Sequence, residues 1–278
     1  MSSADDRTFD LSGVIVTLRG APADLAAAFT LHWSAFRSHG GAACLDVTLR
    51  EGAGPFGSGP ALAATLVDDG EPVRYATPAG AIAVDRAGRA ELVLAAGPAR
   101  ERIHDVVNLV LAALANVAPA HGALLLHAAG IVVDGSGFVL LGPAGSGKST
   151  WLALVAGAAQ PISDDLVGVD TRGPTIHVLA LPFRRSPDCR AGPGRWPLGA
   201  LLLPAHGPLP RLDPVDPRVA RAAVVANLPH LAPARRVAGA TATVVERILR
   251  DVAVRRLTFA RDARFLDLLR PLAAGAPR

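Results

Sequence analysis

Apolar and polar residues alternate in short runs along the first 95 residues, and a period of two predicts strands. Leu11 to Leu18, Cys44 to Leu49, Leu62 to Val67, Val73 to Thr77, Ala81 to Asp85 and Glu91 to Ala95 read this way. Turn sequences such as Asp68-Asp69-Gly70 and Arg86-Ala87-Gly88 separate them, and the Gly- and Pro-rich stretch from Gly52 to Pro60 reads as a loop. Short connections of this kind predict antiparallel pairing. Two stretches change to the helical period. Pro22 opens an amphipathic helix running to about Phe36, with Asp24 in its first turn. Pro98 opens a longer one to about Val117, whose Ile103, Val106, Val107, Val110, Leu111 and Leu114 share a face. Residues 1–120 thus predict an α+β module with antiparallel strands.

After residue 121 the alternation gives way to apolar runs. Ala123 to Ala128, Ile131 to Val133 and Phe138 to Leu141 read as strands, with Asp134-Gly135-Ser136-Gly137 as a hairpin-type turn. A helix from Thr150 to Ala159, a short edge at Pro161-Ile162 and a strand from Leu166 to Val169 come next. Residues 171 to 218 are dense in Pro, Gly and Arg, and only Gly199 to Leu203 reads as a strand there. Helices over Arg218 to Ala226 and Ala240 to Asp251, a strand over Ala253 to Phe259 and a helix over Asp262 to Leu272 complete the reading. Residues 121–278 predict an α/β domain with a mixed sheet, in a chain that is α+β as a whole.

Composition narrows the class. Half of the 278 residues are hydrophobic and 19% are charged, a globular balance. The net charge is only +4, and basic pairs such as Arg235-Arg236 and Arg255-Arg256 are short and scattered, which predicts no nucleic-acid partner. Cys44 and Cys189 lack metal spacing and read as free thiols of a reducing compartment. The opening Met-Ser-Ser-Ala-Asp-Asp-Arg carries no secretory pattern. Val106 to Val133 has no Asp, Glu, Lys or Arg, yet Asn108, Asn116, Pro119, His121, Gly122 and His127 interrupt it. A helix followed by a buried strand explains it better than a membrane span. The expectation is a cytoplasmic protein with no membrane partner.

One motif carries chemistry. Gly142-Pro143-Ala144-Gly145-Ser146-Gly147-Lys148-Ser149 is a complete G-x-x-x-x-G-K-[ST] loop between an expected strand and an expected helix, followed by Thr150. Its glycines let backbone N–H groups converge on phosphate oxygens, and the helix start adds positive potential. Lys148 should reach the β- and γ-phosphates, and Ser149 should hold Mg²⁺. Phosphate loops serve many reactions, so the residues beyond the loop must discriminate among them. Only one short helix and a short strand separate Lys148 from Asp164-Asp165. No Leu-Ser-Gly-Gly-Gln is found downstream, against a transporter motor, and no Asn-Lys-x-Asp, against a GTPase. Phosphoryl transfer calls for a further cation near the developing charge, and Arg184 and Arg185 are the leading candidates.

Leu126-His127-Ala128-Ala129-Gly130, the loop and Ser163-Asp164-Asp165 together resemble the core of the HPr kinase/phosphorylase family. They resemble more closely the shorter HPr-kinase-related proteins of bacterial biosynthetic clusters, including lasso-peptide clusters. The likeness is strongest over residues 123–170 and implies the loop fold shared with phosphoenolpyruvate carboxykinases. It further implies ATP and Mg²⁺ as cofactors, Asp164 as the base for the attacking hydroxyl and Asp165 with Ser149 as Mg²⁺ ligands. It leaves open which aspartate does which. His127 would lie near the transferred phosphoryl group, and a ring or dimer of copies is compatible with the family. Thr150 stands where those enzymes commonly carry glutamate, and their C-terminal bifunctional signature is not found. The implied activity is therefore a single-direction kinase whose acceptor is a hydroxyl of a peptide, protein or small molecule. A nucleotide-binding regulator without transfer, a slow hydrolase and a carboxykinase-like lyase are the alternatives.

Overall fold

The computed structural model describes residues 6–39, 41–53, 56–57, 64–143, 145–183, 192–229 and 235–273. Ala144, Arg184, Arg185 and Cys189, and part of the strand expected from Leu62, lie outside the described residues. The described chain is a mixed α+β structure with two mixed sheets and six α-helices. It divides into two compact units, Met1–His121 with His230–Gly239, and Gly122–Pro229 with Ala240–Arg278.

The first unit contains β1 (Arg7–Asp10), β2 (Ile15–Arg19), α1 (Ala23–His32), β3 (Arg37–Ser38) and β4 (Leu45–Glu51). It continues with β5 (Thr65–Asp68), β6 (Val73–Thr77), β7 (Gly80–Val84), β8 (Arg89–Leu94) and α2 (Ala99–Val117). Its eight strands run in the order β3-β1-β2-β4-β8-β7-β6-β5. The stretch from β5 to β8 is the expected antiparallel meander. The expectation of antiparallel pairing throughout is corrected at the centre, where β2 pairs β4 and β4 pairs β8 in parallel. The crossovers are long enough for that: α1 intervenes between β2 and β4, and three strands intervene between β4 and β8. Of the strand expected over Leu11 to Leu18, only Ile15 onward is strand; the residues before it form the hairpin turn from β1 to β2, with Ser12 and Gly13 at φ of 59° and 103°.

The α2 helix packs on β4, β6, β7 and β8. Ala99–His121 is long and apolar enough to cross a membrane by composition, and 72% of its most apolar window is buried. Phe9, Phe29 and Trp33 form an aromatic core with ring centroids 4.4 to 5.5 Å apart.

The second unit contains β9 (Ala123–Val133), β10 (Ser136–Leu141), α3 (Lys148–Leu154), β11 (Gln160–Ser163), β12 (Leu166–Asp170), β13 (His177–Ala180) and β14 (Arg195–His206). Then come β15 (Arg211–Pro214), α4 (Pro217–Ala226), α5 (Arg235–Asp251, in this unit from Ala240 onward), β16 (Ala253–Phe259) and α6 (Leu266–Leu269). The two strands expected before Asp134 are one long strand, β9. Its first half pairs β12 and its second half pairs β10 and β11. β14 is likewise long, pairing β13 with its first residues and β10 and β16 beyond. The pairings β10–β9–β12–β13–β14–β10 therefore close a ring, and β10, β14 and β16 are parallel.

Residues 171–218, where one strand is expected, hold three: β13, β14 and β15. Their alternation is hidden by prolines and arginines; β14 even contains Pro197 and Pro204. The last helix is shorter than expected, because 3₁₀ turns flank α6 on both sides. Trp151 from α3 stacks on Phe265 at 6.0 Å in a core that includes Phe138, Leu140 and Phe259. At the far end of β12, Asp170 is only 1% exposed and is held by Arg172 and Arg195.

Candidate active site

The glycine-rich loop joins β10 to α3, and its backbone states why glycine is needed. Gly142, Gly145 and Gly147 have φ of 155°, 81° and 99°, which side-chain-bearing residues rarely adopt. A Cβ on Gly142 would lie 2.6 Å from Ser146 Oγ, whereas one on Gly145 would meet nothing within 4 Å. The loop is therefore closed at its base and open at its crest. Trp151, fully buried one turn into α3, ties the helix after the loop to the core.

Lys148 is 8% exposed, and its Nζ donates to the carbonyls of Gly142 at 2.5 Å and Pro143 at 3.0 Å. It is also the single lysine among 28 lysine and arginine residues. Everywhere else the basic side chain is arginine. The position thus selects a compact ammonium over a planar guanidinium, a signal legible in composition alone. Ser146 Oγ is buried with no hydrogen-bond partner among the described residues. A buried hydroxyl left so is costly, and an anion seated in the loop would satisfy it.

The facing wall comes from β9 and the turn between β11 and β12. Ser163 Oγ accepts from the N–H groups of Asp165 at 3.2 Å and Leu166 at 3.1 Å, a local serine turn that reverses the chain through the two aspartates. The same hydroxyl donates to the Phe183 carbonyl at 3.4 Å. The β9–β12 register sets His127 opposite Leu166, so Asp165 lies beside the histidine. Asp165 Oδ1 is 3.4 Å from His127 Nδ1, and the Asp165 carbonyl accepts from Ala128 N–H at 2.9 Å.

His127, Gly145, Gly147, Lys148, Ser149, Thr150, Asp164 and Asp165 line one cleft of about 250 Å³. The loop residues and the acidic pair, separated in sequence by α3 and β11, thus share a single space. Ser149 and the two aspartates offer oxygen donors of the kind hard cations take, completed by waters and phosphate oxygens. Among the described residues no group of three or more His, Cys, Asp and Glu makes a self-sufficient metal site. Ala144, Arg184 and Arg185 are outside the described residues; Phe183, just before the arginines, is the residue bonded to Ser163. A larger groove of about 620 Å³ lies between α4 and α5, but two of its arginines, Arg221 and Arg250, are paired to Glu246 and Asp251.

Two side chains at the loop carry no signal in the sequence. His206, at the end of β14, would lie 3.3 Å from a Cβ on Gly147, with its ring 5.7 Å from that of Phe259. Asn227, immediately after α4, accepts from Gly142 N–H through Oδ1 at 3.2 Å.

No family model and no curated protein matches the chain in sequence. Among solved structures, it is similar to the Hpr(Ser) kinase/phosphatase from Coxiella burnetii. The likeness is at 13% identity and a TM-score of 0.26, over 52% of this chain and 89% of that one. So distant a likeness carries no weight for the chemistry, which rests on the cleft.

Proposed function

We propose that the chain is an ATP- and Mg²⁺-dependent kinase that transfers the terminal phosphoryl group to a hydroxyl of a peptide, protein or small molecule. The observation that carries this reading is the shared cleft, with a buried lone lysine on one wall and two carboxylates on the other. Phosphoryl transfer asks a protein mainly to position groups and neutralise charge, and both walls are suited to that. The loop amides and Lys148 hold the phosphates. Asp164 takes the proton as the acceptor oxygen bonds to phosphorus and the bond to the bridging oxygen breaks, leaving ADP. Ser149 and Asp165 are the residues to hold Mg²⁺, whose bound charge offsets that of the phosphates. His127, which lines the same cleft beside Asp165, orients that carboxylate. Arg184 and Arg185 remain the candidates for a second cation.

The test is phosphate incorporation from radiolabelled ATP with Mg²⁺, against a library of serine- and threonine-containing peptides and with water as fallback acceptor. Asp164→Asn should lower transfer about 10²-fold or more at unchanged ATP affinity. Equal transfer by the variant removes Asp164 as base. Tight ATP binding with no phosphorylated product would instead make the protein a nucleotide-gated binding module.

A further inference from the structure

Asn227 touches the candidate site from two directions at once. It caps the C-terminus of α4 and is 7% exposed. Its Oδ1 accepts from Gly142 N–H at 3.2 Å, and its Nδ2 donates to the Ala223 carbonyl at 2.7 Å. Its main-chain carbonyl accepts from His127 N–H at 2.7 Å, and its own N–H donates to the Val224 carbonyl at 3.1 Å. The orientation of the side-chain amide is set by these partners: flipping it would put an NH₂ against an N–H and a carbonyl against a carbonyl.

We propose that Asn227 is a positioning residue that fixes the first turn of the phosphate-binding loop and locks it to the strand bearing His127. The inference deepens the kinase reading and rests on it for its functional consequence. Amides in such a loop divide their labour. A phosphate-binding loop needs most of its N–H groups aimed at the ligand, yet some must anchor the loop or the aim is lost. The Gly142 N–H is the anchor. It points back to Asn227, while the Gly142 carbonyl receives Lys148 Nζ. The same glycine thereby fixes the lysine on one side and is itself fixed from α4 on the other. Because the main-chain carbonyl of Asn227 holds β9 at His127, the phosphate side and the acceptor side of the cleft are referred to one residue, 85 positions beyond Gly142.

The experiment uses the full chain and three readouts: amide exchange at Gly142, ATP affinity in the presence of Mg²⁺, and Tm. In Asn227→Ala, Gly142 N–H should exchange faster and ATP affinity should fall on the order of tenfold at a temperature where the variant is folded. A residue that only caps α4 would lower Tm and leave both of those unchanged. Asn227→Asp keeps an acceptor for Gly142 and loses the donor to Ala223, so it should restore Gly142 protection. Wild-type ATP affinity and exchange in Asn227→Ala would overturn the proposal. If that variant does not fold, Asn227→Asp decides alone, and an unprotected Gly142 in it overturns the proposal. A wild-type chain that binds no ATP would sink the kinase reading instead, while Gly142 exchange still reports on the anchor.

Discussion

Each unit buries an asparagine at the end of a helix, and the two begin alike. Asn116 in the last turn of α2 and Asn227 after α4 both donate Nδ2 to the carbonyl four residues back, at Ala112 and Ala223, each at 2.7 Å. Beyond that shared bond they part. Asn116 also donates to the Tyr75 hydroxyl of β6 at 2.8 Å, which seals a helix against a sheet. Asn227 reaches the first glycine of the loop and, through its main chain, His127. The buried cations divide the same way. Arg102, 4% exposed in the first unit, pairs with Glu51 at 2.5 Å and Asp24 at 3.6 Å. Lys148 lines a cleft. One local device thus serves packing in one unit and a site in the other, and only the groups lying across from it tell which.

That contrast can be broken by experiment. The largest effect belongs to Lys148→Arg, which keeps the charge and changes its shape. ATP turnover should fall at least about 100-fold, near 3 kcal/mol of transition-state stabilisation, with the fold intact by circular dichroism. Turnover within tenfold of wild type would return Lys148 to the company of Arg102. A smaller effect is expected from Asn116→Ala: about 1–3 kcal/mol lower stability on urea titration, since the bonds from Asn116 to the Tyr75 hydroxyl and the Ala112 carbonyl are both lost. ATP affinity should stay within twofold, and a loss matching that of Asn227→Ala would erase the distinction between the asparagines.

The smallest effect concerns pH. Burial disfavours the ionised Asp170 carboxylate, but hydrogen bonds from Arg172 and the charges of Arg172 and Arg195 outweigh it and hold its pKa below the ordinary range. A carboxylate depressed in the folded state adds stability above its unfolded pKa, near 4, and that stability is lost as pH falls through the folded value. Acid titration of Asp170→Asn should therefore show an unfolding slope shallower by up to one proton than wild type below about pH 4. An unchanged slope would mean that Asp170 contributes no such proton.

The expectations that held were those with a local cause. The ranges for β6 and β16 coincide with the alternation of Val73 to Thr77 and Ala253 to Phe259. α2 starts one residue after Pro98 and ends at Val117, where the helical period also ends. Those that failed had their cause elsewhere in the chain. β13 and β15 are four residues each and flanked by Gly- and Pro-containing turns, and they exist as strands because β12, β14 and β16 offer partners. The parallel centre of the first sheet arises from crossovers that no local pattern announces.

By itself the sequence determined the loop between a buried strand and a helix, since its glycines answer a steric demand of their own backbone and its apolar flanks set the neighbouring elements. It also marked Lys148, as the one place where an arginine-rich chain keeps a lysine. Only the tertiary structure decided that Asp165 meets His127, that both aspartates share a cleft with Lys148, and that Asn227 anchors the loop. Those contacts depend on strand register and on helix ends brought together from far along the chain, and neither is written in any run of neighbouring residues.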